Sequence, residues 1–129
     1  MKTTDLQIGD YIKCQGHIYI VEEISAKGWA HLIHLEAKVR VNVASRYFDL
    51  LEPIPLTPEI LELNGCIKTE YGYALYMDNG IVVFLGEDNS YRVIIFKTTV
   101  IIVRYVHELQ QVLRLCGLND LADNFKVED

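Results

Sequence analysis

The sequence predicts a β-rich α+β protein: a small N-terminal barrel-like sheet, then an antiparallel sheet packed by one C-terminal helix. Three observations lead there. The first 52 residues break into short alternating segments separated by turn residues. Asp78-Asn79-Gly80 sits between two β-branched and aromatic runs, a strong short-range hairpin signal. Within 91–118 the apolar period changes from that of a buried strand to that of a helix.

Taken in order, Leu6, Ile8, Tyr11 and Ile12 open the ordered part, with Gly9-Asp10 turning the chain before a strand over 10–14. Gln15-Gly16 suits a tight hairpin into a second strand over 17–24, with Ile18 and Ile20 on one face and Tyr19 and Val21 on the other. Lys27-Gly28 and Glu36-Ala37 bound two more strands, 29–35 and 38–43. In the fourth, Val39, Val41 and Val43 share one face, and Lys38, Arg40 and Asn42 the other. A fifth short strand is expected over 47–51. Five short strands in about 50 residues form the layout of a small SH3-like barrel.

Pro53 and Pro55 hold the next stretch extended and mark a boundary. This gives an SH3-like subdomain over 1–52, a linker with a short helix over 53–65, and a sheet-plus-helix unit over 66–129, the whole compatible with one compact domain. Thr57-Pro58-Glu59 supplies a cap, a first-turn proline and an acid at the positive end of a helix over 58–63. Strands over 73–77 and 81–85 form the expected hairpin, and 73–85 is the expected exposed edge. The segment 91–104 reads as one strand, bending or bulging at Thr98-Thr99 because two threonines reverse a chain poorly. From Tyr105, the positions Val106, Leu109, Val112, Leu113 and Cys116 form a helical stripe that Gly117 closes. The tail keeps Leu121, Phe125 and Val127 for one more packed turn.

Half of the residues are hydrophobic and 23% are charged, the balance of a chain that folds. The apolar run 98–103 is stopped by Arg104, far short of the roughly 20 residues that cross a bilayer, so no membrane partner is expected. The start of the chain lacks the apolar centre of an export signal, which makes a cytoplasmic location the expectation. Net charge is −6, and residues 53–129 carry eleven acids against six bases. Clustered lysine and arginine are what phosphate backbones require, so nucleic acid is disfavoured. It stays as the alternative because SH3-like barrels can bind it and Lys13, Lys27, Lys38, Arg40 and Arg46 all lie in the first half.

No reactive constellation stands out. His31 and His34 lie three apart in a strand and so point to opposite faces, which argues against a shared metal. His17 and Cys14 flank an ordinary turn, and His107-Glu108 opens a helix whose dipole favours the acid. Cys14, Cys66 and Cys116 are odd in number and lack a CxxC pair, so reduced thiols are expected. Phosphate-binding glycine loops and nucleophile elbows are absent. The reading is therefore a non-enzyme without cofactor or metal. Tyr19, Trp29, Tyr71, Tyr73, Tyr76 and Tyr91 are numerous amphipathic rings for so small a chain and are read as an interaction surface, with sheet packing the competing explanation. The expected function is a protein-binding or assembly module whose partner is another protein or a second copy.

The junction Arg104-Tyr105-Val106-His107-Glu108-Leu109-Gln110, with Leu113 and Gly117 behind it, resembles a recurrent C-terminal motif of an uncharacterised family of small proteins from Bacteroidetes genomes and their prophages. The opening Leu6-x-Ile8-Gly9-Asp10-Tyr11 and the linker Glu52-Pro53-Ile54-Pro55-Leu56-Thr57 are similar to that family too. The resemblance does not reach 66–100. It implies a cytoplasmic accessory protein of phage descent and carries over no activity or catalytic residue.

Overall fold

The computed structural model describes residues 5–70, 72–76, 81–85, 90–95 and 99–128. Two five-stranded antiparallel sheets and three short helices make up a β-rich α+β fold. The first sheet contains β1 (Tyr11–Cys14), β2 (His17–Ile24), β3 (Trp29–His34), β4 (Arg40–Ala44) and β5 (Leu51–Glu52), ordered β4-β3-β2-β1-β5. The second contains β6 (Ile67–Thr69), β7 (Gly72–Tyr76), β8 (Ile81–Leu85), β9 (Tyr91–Ile95) and β10 (Thr99–Val103), ordered β10-β9-β8-β7-β6. Helices α1 (Pro58–Leu63), α2 (Val106–Leu115) and α3 (Asn119–Asp123) belong to the second half.

Alternation along β2 decides how the halves join. Tyr19 and Val21 face a core with Leu6, Ile12, Ala30, Leu32, Phe48 and Leu51. Ile18 and Ile20 face the opposite way and, with Tyr11, pack into the larger core of Leu61, Val83, Val93, Val106, Leu109, Leu113 and Phe125. Each residue step along a strand reverses its face, so one strand serves both cores.

Helix α2 buries Val106, Leu109, Val112 and Leu113, as its stripe requires, while Cys116 is half-buried beside them. Its end is a Schellman motif: Gly117, at φ +78°, donates to the Arg114 carbonyl at 3.0 Å, and Leu118 donates to that of Leu113 at 2.9 Å. Helix α1 begins with Thr57, whose Oγ1 accepts from the Ile60 amide at 3.2 Å, followed by Pro58. At its other end Asn64 donates to the Lys126 carbonyl at 2.7 Å, which fastens the tail.

Several expectations are corrected. Residues 45–50 form a 3-10 helix, not a strand, leaving only Leu51–Glu52 to pair with Cys14 and Lys13. Phe48 turns inward there while Tyr47 and Leu50 stay exposed, an arrangement that strand alternation does not give. Val39 lies outside β4 and is exposed because Lys38 adopts φ +58° in the turn before it; Val41 and Val43 do pack inward. The segment expected to run as one bent strand reverses instead: β9 and β10 pair with Ile95 opposite Thr99 and Tyr91 opposite Val103. Burying Val93 and Ile95 together with Val103 on one side of the sheet offsets the poor turn chemistry. The strands β7 and β8 lie inside the sheet, so the expected edge at 73–85 is not an edge. The Asp78-Asn79-Gly80 turn falls outside the described residues.

Candidate interaction surface

Among the described residues the two sheets leave four strand edges, and three carry ordinary protection against pairing with another chain. An unpaired edge exposes a row of backbone donors and acceptors, which proteins blunt by shortness or charge. Strand β5 has two residues, β6 has three with Lys68 at its centre, and β4 begins with Arg40, whose guanidinium bonds Glu22. Strand β10 has neither device. Its sequence is Thr99-Val100-Ile101-Ile102-Val103, with no charge, proline or glycine.

On the outer face of β10, Val100 and Ile102 are 57% and 56% exposed. On the other face Val103 is buried and Ile101 packs against the large core. Helix α2 flanks this side, and between them runs a groove of about 540 Å³ lined by Ile101, Ile102, Val103, Val112 and Leu115, with Gln7, Glu108, Gln111 and Arg114 as its polar and charged groups. Leu115, at the end of α2, is 78% exposed. A pocket of about 510 Å³ opens near the start of α2, against Asp5, Leu51, Pro53, Tyr105 and His107, and shares Glu108 and Gln111 with the groove.

From the rim of this groove Gln7, Gln111 and Arg114 reach into polar contacts that join α2 to the first sheet. Asp10 is fully buried; its carboxylate accepts from Arg114 Nη1 at 2.5 Å, from Gln111 Nε2 at 2.8 Å and from the Gln7 amide at 2.8 Å. Gln110, also fully buried, accepts from the Tyr11 amide at 2.9 Å and donates to the carbonyls of Gly9 and Ala122 at 3.2 and 3.0 Å. Gly9 is required where it stands. Its φ is +93°, and a Cβ there would come within 2.8 Å of the Arg114 guanidinium. Sequence reading took Gly9-Asp10 for a turn and passed over Gln110. Yet Gln110 lies four after Val106 and three before Leu113, a polar residue on the apolar face, and that spacing was the available signal.

His107 is buried beside this seam, and its Nδ1 has no hydrogen-bond partner. Burial holds its pKa below the ordinary imidazole value, outweighing the carboxylates of Asp10, Glu108 and Asp5, which act to raise it. Glu108 accepts from the amides of Arg104 and Tyr105 at 2.8 and 3.0 Å and so closes the helix start. Burial pushes the Cys66 thiol up to about 12. It raises Cys14 and Cys116 as well, with Glu52 adding to the effect at Cys14, conditions that disfavour the nucleophilic thiolate. His34 Nδ1 accepts from the amides of Glu36 and Ala37 at 3.2 and 3.0 Å, and its ring lies 5.1 Å from that of His17. Among the described residues, no group of three or more His, Cys, Asp or Glu side chains could hold a metal ion.

The six aromatic residues singled out from the sequence do not form one surface. Tyr73 and Tyr91 are 6% and 2% exposed and belong to the large core, so they are corrected from interaction residues to packing residues. Trp29 is 45% exposed on β3, whereas Tyr19 is half-buried against the smaller core with its ring edge-on to His34. Tyr71 and the side chain of Tyr76 fall outside the described residues. Of the cations considered for nucleic acid, Arg40 pairs with Glu22 and Lys13 lies opposite Glu52. Among the described residues, no helix is long and apolar enough to cross a membrane.

These features define a β-rich α+β fold with, among the described residues, one unprotected aliphatic edge. No family model, curated protein or solved structure matches it.

Proposed function

We propose that this protein is a non-catalytic protein-binding or assembly module that docks through β10 and the groove beside it. The observation carrying the reading is the contrast among strand edges: β10 alone of the four is both five residues long and free of charge. An edge of this kind accepts an extra strand through main-chain hydrogen bonds, and the groove supplies side-chain specificity. The reading takes the first sheet as an SH3-like small barrel. Its meander order, β4-β3-β2-β1-β5, with a 3-10 helix before the last strand, supports that assignment. A cytoplasmic, phage-derived accessory role follows from the resemblance of the Tyr105–Gln110 motif.

Sedimentation of the purified chain at micromolar concentration, with affinity capture from its native host, tests the proposal. The expected result is self-association or retention of a protein partner, in either case reduced by Ile102→Lys. A monomer that retains no protein would defeat it.

A further inference from the structure

Resting on that reading of β10, we infer that the partner strand is β10 of a second copy, paired antiparallel about a two-fold axis at Ile101. The sequence of the edge is what selects this occupant. A strand docked on β10 must offer aliphatic side chains to the outer face, where Val100 and Ile102 are exposed, and on the other face side chains that fit beside Ile101, Val112 and Leu115 in a groove whose rim is the polar row of Gln7, Glu108, Gln111 and Arg114. It must also bring no charge against the aliphatic outer face. Thr99-Val100-Ile101-Ile102-Val103 meets both conditions.

The register follows from symmetry. In an isologous pair each contact occurs twice, so Ile101 faces Ile101 of the second copy, Val100 faces Ile102, and Thr99 faces Val103. Directly opposed residues point to the same side of the sheet. The outer face thus gains two Val-Ile pairs that cover the exposed residues. On the helix face the two Ile101 side chains meet beside the groove that runs up to Leu115 of each copy. One operation covers aliphatic surface on both faces and joins the two second sheets into a ten-stranded one. The other edges do not offer this: self-pairing of β6 about its centre would oppose two Lys68 residues, and β4 exposes Arg40 and Asn42.

Cysteine pairs test the register in the full chain. Directly opposed positions hold their Cβ atoms about 4.5–5.5 Å apart and diagonal ones about 7–8 Å. A disulfide bridges only about 3.5–4.5 Å, so modest breathing closes the first gap and not the second. An equimolar mixture of Val100→Cys and Ile102→Cys chains should form a crosslinked dimer under mild oxidation, several-fold more than either variant alone. Ile101→Cys should crosslink by itself, and the unsubstituted chain, with Cys14, Cys66 and Cys116, sets the background. By sedimentation, Ile102→Lys should weaken self-association at least tenfold, with unchanged circular dichroism showing that the fold persists. Equal crosslinking in the mixture and in either single variant would overturn the register. A monomer at every concentration, with no crosslink, would overturn self-pairing. If that monomer still captured a host protein, and lost it with Ile102→Lys, docking through β10 would stand while the second copy would not.

Discussion

Helix α2 meets the first sheet and strand β10 in different ways. Toward the first sheet, Asp10 and Gln110 are fully buried with named partners, and Gln111 and Arg114 reach them from the rim of the groove, Arg114 bonding through Nη1 alone. Toward β10, Leu115 overhangs a strand whose Val100 and Ile102 remain more than half exposed. A buried charge is costly unless it is paired, so a chain that buries Asp10 needs the first contact closed. An exposed aliphatic edge has no such internal requirement and is instead open to a partner. The first contact holds the molecule together; the edge can meet something else.

The sharpest way to break this contrast is Asp10→Ala, which takes from the Arg114 guanidinium its buried carboxylate and leaves it only the longer contacts to Gln7 Oε1 and Asp123, while Gln111 keeps only the Asp5 carbonyl. A loss of about 3–5 kcal/mol is expected in urea unfolding, as for other buried ion pairs deprived of one member. Should the loss be under 1 kcal/mol, the seam would not hold the halves together. Truncating Leu113, fully buried on the same helix, should cost about 2–5 kcal/mol, which separates the contribution of packing from that of the polar seam. Gly9→Ala should also destabilise, by at least about 1–2 kcal/mol from positive φ alone, with the approach to Arg114 adding to it.

The His107 effect is smaller and depends on pH. Its folded-state pKa lies below that of the unfolded chain, about 6.5, so its contribution is complete above that pH. As pH falls through 6.5 the unfolded state takes up the proton first, and stability declines until the folded-state pKa is passed. Denaturation midpoints between pH 7.5 and 5.5 read this dependence. His107→Gln should flatten that slope; an unchanged slope would assign it elsewhere. Smallest of all is Ile102→Lys, expected within about 0.5 kcal/mol of the unsubstituted chain in the monomer because the position is exposed. A large loss there would mean that β10 is not a free edge.

How far the sequence could be read depends on whether the deciding interaction was local. Strands β1 to β4, the stripe and stop of α2 and the cap of α1 depend on neighbours within a few residues, and each was legible. The 3-10 helix at Ser45–Leu50 was not, because a short apolar run fits either structure until Phe48 has a core to enter. Strand β6 was missed because three residues around Lys68 carry too little alternation. The identity of the open edge was misassigned for a deeper reason. Which strands end up outermost depends on pairings across the sheet, and the hairpin with the strongest turn signal, β7 with β8, is for that reason no guide to the rim. The aromatic residues divided likewise: composition cannot separate Tyr91, enclosed by β9 and the large core, from Trp29 at the surface of β3.

The distance along the chain between Asp10 and Arg114, 104 residues, sets a timetable for biosynthesis. At about 5–20 residues per second, a ribosome takes on the order of 5–20 s to reach the arginine after making the aspartate. During that interval β1 to β4 can form local hairpins, but Asp10 has no guanidinium and Tyr11, Ile18 and Ile20 have no large core to enter. The N-terminal sheet therefore waits, partly apolar on its outer side, for the second sheet and α2. Stalled or truncated nascent chains should be the species that chaperones hold and proteases remove, with release of α2 from the exit tunnel the event that rescues them.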